Sequence, residues 1–264
     1  SLTWGAGVSE SERYTGVAEA LLNKIDAEKK IEFVNLAHSG APLTSYRDRL
    51  FQFGETLDPD LLTVGFCLND PQQKQQDFSE ERQAYRRRNK GLLLLALDVR
   101  YYFPNLGESL NKGIMRWGEI NGDFPSWDEA LDRTYNPEST SWREFEQALA
   151  DISKWNSDHT LPTPLFLILN QGSSTVDPTY YSNPDPLLKR FIRWWNQAGE
   201  AASRQGFRVI NHEEEFRDQL DGKVLGVNIA DGHPSAAEHK IYGEKLAHVI
   251  ETEYVDIDEP SASE

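Results

Sequence analysis

The sequence predicts an α/β fold built on a parallel sheet, and three observations predict it. Short, nearly continuous apolar runs recur along the chain. Segments with helical apolar spacing lie between them. Turn-forming residues bound the runs, as in Asp58-Pro59-Asp60 ahead of the second. A strand covered on both faces reads as an unbroken apolar run, and strands alternating with helices read as crossover units.

The elements follow in order. Val17, Leu21 and Ile25 step by four residues and predict a first helix with that stripe inward. Ile31–Leu36 is the first expected strand, Leu61–Leu68 the second, Pro164–Asn170 the third and Phe207–Asn211 the fourth. Leu187, Phe191, Trp194 and Trp195 form a stripe on a helix between the third and fourth. Ile241, Leu246 and Ile250 do the same near the end. Residues 71–163 break this rhythm, being far longer than an ordinary crossover. They carry a charged block (SEERQAYRRRNK), the Leu-rich run Leu92–Leu97 and many aromatic residues. They read as a helical insertion, or lid, in a single domain spanning 1–255. Ser79 and Ser126 are the expected helix starts, the second with Glu129 in capping-box spacing. Residues 256–264 (DIDEPSASE) read as a disordered acidic tail.

Composition narrows the function classes. The 264 residues carry 27 Lys+Arg and 43 Asp+Glu, a formal net charge of −16. Such a chain repels phosphate backbones and anionic lipid surfaces, which argues against nucleic acid as a partner. No run reaches the length of about 18 apolar residues that a membrane-spanning helix needs; Leu92–Leu97 reads instead as a buried helix or a lid surface. The single cysteine, Cys67, excludes an internal disulfide and a multi-Cys metal site. The six histidines show no His-x-x-x-His pair, so neither metal nor cofactor is expected.

Four short segments could carry chemistry: Ser1-Leu2-Thr3-Trp4-Gly5, Asn35-Leu36-Ala37-His38-Ser39-Gly40, Leu68-Asn69-Asp70, and Asp231-Gly232-His233-Pro234-Ser235. The second and third follow expected strands, where ligands bind in open α/β sheets. The fourth precedes the last helix. Each has a plainer reading as well. Ser1 fits a frayed terminus, Gly40 a turn glycine, Asn69 a turn cap and Asp231-Gly232 a surface turn. His239 reads as a packing histidine and Cys67 as a small strand-end core residue.

Taken together and in this order, the segments resemble the SGNH (GDSL) hydrolase superfamily. Ser1-Leu2-Thr3-Trp4-Gly5 looks like the second half of its Gly-Asp-Ser-Leu block. Asn35, Ala37 and Gly40 match its Asn-x-Ala-x-x-Gly block. Asn69-Asp70 match its Gly-x-Asn-Asp block, although Cys67 stands at the usual glycine position. Asp231 and His233 fit its last block, with one residue between them. The resemblance implies a three-layer α/β/α flavodoxin-like fold. It also implies esterase, lipase or carbohydrate O-acetylesterase activity on a small-molecule or carbohydrate ester.

Ester cleavage needs an activated hydroxyl, a base and donors for a developing oxyanion. Ser1 is the expected nucleophile, His233 the base, and Asp231 the residue that orients the imidazole. Asp231 and His233 are expected to meet on a turn that Gly232 permits. Ser1, Gly40 and Asn69 are the expected oxyanion-hole donors. A Ser1 that began the native protein would carry an amine rather than an amide, so the sequence predicts a protein that extends upstream, with a lean towards export. Two rival readings use the same scaffold: a polysaccharide O-acyltransferase with the same triad, and a non-catalytic carbohydrate-binding protein.

Overall fold

The computed structural model describes residues 3, 5, 7–25, 30–72, 79–170, 184, 186–219, 226–228 and 231–254. Ser1 and the acidic tail 256–264 lie outside the described residues. The chain divides into two compact units, one of residues 1–70 with 145–264 and one of residues 71–144.

The first unit contains a parallel sheet. Strands β1 (Thr63–Phe66), β2 (Leu165–Ile168) and β3 (Arg208–Asn211) lie in the order β1-β2-β3. Thr63 faces Leu165 across the first pair, and Leu165 faces Arg208 across the second. Every residue of β2 is buried, as an apolar run covered on both faces requires. The second, third and fourth expected strands are therefore present, and the protein has an α/β fold with parallel strands.

The first expected strand differs. Ile31–Leu36 joins no ladder among the described residues, although its exposure alternates from Ile31 to Asn35. Three of its backbone groups are bonded by side chains of helix α1 (Tyr14–Ile25). Asn23 accepts from the Ile31 N–H and donates to its carbonyl, both at 2.8 Å. Glu19 accepts from the Phe33 N–H at 2.8 Å. Backbone groups that leave water need partners, and here two helix side chains supply them.

The buried face of α1 also differs from the expected stripe by one residue. Tyr14, Ala18 and Leu22 are buried, Val17 and Leu21 are at the margin, and Ile25 is exposed. The cause is helix α10 (Ala236–Glu253), which packs along α1. A Cβ at Gly243 would come within 2.6 Å of Val17 and 2.8 Å of the Tyr14 carbonyl. The bare glycine thus lets the two helix backbones approach. Helix α8 (Pro186–Arg204) joins β2 to β3 and buries Leu188, Phe191, Trp194 and Trp195, while Leu187 stays exposed.

The first unit also holds α2 (Leu43–Leu57), the part of α7 (Thr140–Asp158) from residue 145, and α9 (Glu213–Gln219). A short antiparallel pair, β4 (Gly226–Asn228) and β5 (Asp231–Pro234), precedes α10.

The second unit is helical: α3 (Ser79–Arg88), α4 (Lys90–Tyr102), α5 (Pro104–Ile120), α6 (Trp127–Thr134) and the start of α7. Tyr85, Met115 and Phe124 form its buried centre. Helices α4 and α5 make a hairpin in which Gly107 lies against the backbone of Arg100. Ser126 caps α6 with a capping box: its backbone N–H donates to Glu129 Oε2 at 2.9 Å.

Candidate functional site

The loops that follow Ile31–Leu36 and β1 meet in the first unit. Gly40 has φ +71°, a left-handed conformation that suits glycine. It lies within the turn that the Ala41 N–H closes on His38 O at 3.4 Å. Two residues after Ala41, the Leu43 N–H at the start of α2 donates to the Asp70 carbonyl at 3.0 Å. This bond ties the Gly40 loop to the Asn69-Asp70 turn. The Asp70 N–H closes that turn on Cys67 O at 2.9 Å.

Three donors converge on the buried carboxyl of Asp70. The Cys67 N–H reaches Oδ2 at 3.0 Å, and the Cys67 thiol and Tyr46 hydroxyl reach Oδ1 at 3.0 and 3.1 Å. Burial raises the Asp70 pKa to about 6, with the hydrogen bonds from Cys67 and Tyr46 opposing the rise. Burial, and then the nearby Asp70, push the Cys67 thiol well above its ordinary value. That thiol is a protonated donor, not a nucleophile. Its second contact is Asn69 Oδ1 at 2.9 Å. The carbonyl end of the half-buried Asn69 amide is thus engaged, while its NH2 has no partner among the described residues. The Gly40 N–H has none either. Two N–H donors without a partner among the described residues therefore stand on two loops tied by one backbone hydrogen bond.

The start of the chain reaches the same sheet. Thr3 Oγ1 donates to the Gly65 carbonyl of β1 at 3.4 Å and accepts from Tyr14 Oη at 3.3 Å. Asn35 donates to the Thr3 carbonyl at 2.8 Å and accepts from the Ala37 N–H at 2.9 Å. Asn35 thus joins the chain start to the loop that carries Gly40. Ser1, two residues before Thr3, lies outside the described residues.

Asp231 and His233 are in β5 rather than on the expected turn. Gly226 pairs with Pro234 and Asn228 with Asp231. The register shifts between these two pairs, so that β5 carries one more residue than β4 between them, as in a β-bulge. His233 is half-buried. Ser235 then caps α10 by accepting from the Glu238 N–H at 3.4 Å.

The other histidines divide by burial. His38 is exposed, with Nδ1 2.7 Å from Ser39 O. His212 is buried with Nδ1 2.9 Å from Ile168 O. His239 is buried and accepts from the Tyr14 N–H at 3.3 Å. Burial lowers the pKa of both buried histidines to about 4, so they are neutral packing groups.

Sequence reasoning missed Tyr46 and the Thr3–Gly65–Tyr14 contact. Tyr46 carries no spacing signal, because its link to Asp70 is purely tertiary. Gly65 did carry one: a glycine inside an apolar strand marks close approach by another group. Among the described residues, no group of three or more His, Cys, Asp or Glu side chains could hold a metal ion.

No family model matches the chain, and no curated protein matches it. Among solved structures, the chain is similar to LAE5, an alpha/beta hydrolase enzyme from the metagenome of Lake Arreo, Spain. The identity is 14%, the match covers 90% of this chain and 80% of that one, and the TM-score is 0.48. A likeness this slight assigns neither fold nor chemistry to the chain.

Proposed function

We propose that the protein is a serine hydrolase of SGNH type that cleaves a carboxylic ester through an acyl-serine intermediate, on a three-layer α/β/α scaffold. The observation that carries this reading is the pair of donors without a partner among the described residues, the Gly40 N–H and the Asn69 NH2, on loops tied by the Leu43–Asp70 bond. Such a pair suits an oxygen that gains negative charge.

In this reading Ser1 Oγ attacks the ester carbonyl carbon as His233 takes its proton. The carbonyl oxygen becomes an oxyanion held by Gly40 and Asn69. The tetrahedral adduct collapses and the alcohol leaves with the proton from His233. Water, deprotonated by His233, then attacks the acyl carbon and the acid departs from Ser1. Asp231 orients the imidazole and stabilises its charged form. No cofactor enters these steps.

The test is covalent labelling of the chain, and of a version with a Gly-Asp-containing first strand added upstream of Ser1, by a fluorophosphonate. The modified peptide is then located by mass spectrometry. The expected result is label on Ser1 that disappears in His233→Ala. Folded protein that takes no label in either version would overturn the reading and favour a non-catalytic carbohydrate-binding role.

A further inference from the structure

The helical unit carries an apolar surface that the ester chemistry does not use. Of the eighteen large hydrophobic side chains exposed among the described residues, eleven lie between Leu92 and Ile120, on the α4–α5 hairpin. Helix α4 buries Ala96 and turns Leu94, Leu97 and Tyr101 to solvent, at spacings of three and four residues. The hairpin turn is aromatic: Tyr101, Tyr102 and Phe103 are 81%, 73% and 64% exposed. A contiguous exposed patch of this kind marks an interaction site.

Charge decides what kind of partner the patch fits. Between Arg82 and Arg116 the sequence has eight cationic and two anionic side chains, a net of +6 in a chain whose net is −16. Arg86, Arg87 and Lys90, at the junction of α3 and α4, are exposed and have no carboxylate partner among the described residues. Screening limits electrostatic reach to about 8 Å at physiological ionic strength, so a surface touching the hairpin responds to its local charge. The whole-chain balance, which argued against anionic lipid, does not govern this patch. A second copy would set one basic hairpin against another.

We propose that the α4–α5 hairpin docks on an anionic lipid surface, laying Leu94, Leu97 and its aromatic turn into the headgroup boundary while Arg86, Arg87 and Lys90 engage lipid headgroups. Apolar residues on one face with cations beside them and tyrosines at the rim are what interfacial helices use. No helix among the described residues is long and apolar enough to cross a membrane, so the docking is peripheral. The inference does not depend on the ester-hydrolase reading.

The test is co-sedimentation of the full chain with phosphatidylcholine vesicles, and with vesicles that also contain phosphatidylglycerol. Two variants accompany it. One is Arg86→Gln with Arg87→Gln and Lys90→Gln; the other is Tyr101→Ser with Phe103→Ser. The expected result is binding to the anionic vesicles alone, weakening with added salt. Removing three cations at about fivefold each lowers the affinity about 10²-fold. The aromatic variant lowers it at least about tenfold. Circular dichroism checks folding; if the aromatic variant does not fold, the charge variant decides by itself. Equal binding to both vesicle types, no binding to the anionic ones, or a charge variant that binds undiminished would each overturn the proposal. A concentration-dependent dimer that the Tyr101→Ser, Phe103→Ser variant abolishes, without vesicle binding, would assign the face to a second copy.

Discussion

Gly65→Ala probes whether the chain start belongs to the site. Gly65 is in the middle of β1, and its missing side chain is the space that Thr3 and Tyr14 occupy. An alanine Cβ would overlap Thr3 Oγ1 and come within 2.5 Å of Tyr14 Oη. Ordinary contact is about 3.5 Å, so both hydroxyls must retreat by about 1 Å. The retreat breaks the Thr3–Gly65 and Tyr14–Thr3 hydrogen bonds, worth about 1 kcal/mol each. The strain of overpacking is of similar size. The expected loss of stability is therefore about 2–3 kcal/mol, read from urea unfolding followed by circular dichroism. Because Thr3 is two residues from Ser1, a displacement of about 1 Å should also slow fluorophosphonate labelling by about 10²-fold. Adding Thr3→Ala makes room for the new Cβ and should restore part of both quantities, a coupling the double-mutant cycle measures. A Gly65→Ala protein as stable and as reactive as the parent would refute the argument. Lost stability with unchanged labelling would separate Thr3 from the chemistry.

Four further outcomes follow from the geometry. Burial holds His212 and His239 at about 4, against an ordinary value of 6.5. The unfolded chain therefore binds more protons there between pH 6.5 and 4, and stability falls with acid in that window. Asp70, raised to about 6 from 3.8, works in the opposite sense between pH 6 and 3.8. His239→Gln should accordingly flatten the acid side of the stability profile by up to about 1.4 kcal/mol per pH unit, and an unchanged slope would count against a neutral His239. Trp194→Ala removes a fully buried ring of α8 and should cost about 3–5 kcal/mol in urea unfolding. Ser126→Ala removes the α6 cap and should cost about 1 kcal/mol. Cys67→Ala frees Asn69 Oδ1 and should slow ester turnover by about tenfold with little change in KM, a smaller loss than the 10²–10³ of deleting a donor outright; equal rates would show that the thiol does not position the amide.

The sheet was legible wherever one local signal was enough. Leu61–Leu68 and Pro164–Asn170 are nearly continuous apolar runs, the pattern a buried parallel strand leaves, and Phe207–Asn211 keeps three apolar residues around Arg208. The Ser126 cap was legible because its hydrogen bonds close within three residues. Ile31–Leu36 carries the same kind of signal, but Asn23 and Glu19 bond three of its backbone groups from α1, and no periodicity records that. The α1 stripe was misplaced because Ala18 and Gly243 add little apolar weight, yet decide how closely two helices pack. In the candidate site, Gly40 and Asn69 were found through short motifs. The bonds that arrange them, from Leu43 and Tyr46 to Asp70, join residues more than twenty positions apart. Strand β5 was read as a turn because its pairing depends on β4, three residues with no strand signature.

Asp70 shows how the local rules and the site pull against each other. Burial raises the pKa of this carboxyl to about 6 from an ordinary 3.8, a cost of roughly 3 kcal/mol when it is charged at neutral pH. A well-packed apolar side chain would avoid that cost. What the carboxyl gains is convergence: one group fixes the Cys67 N–H, the Cys67 thiol and the Tyr46 hydroxyl, and so ties the end of β1 to α2. The single Cys67 S–H has Asp70 Oδ1 and Asn69 Oδ1 both within reach, at 3.0 and 2.9 Å, so the carboxylate and the Asn69 amide compete for one proton.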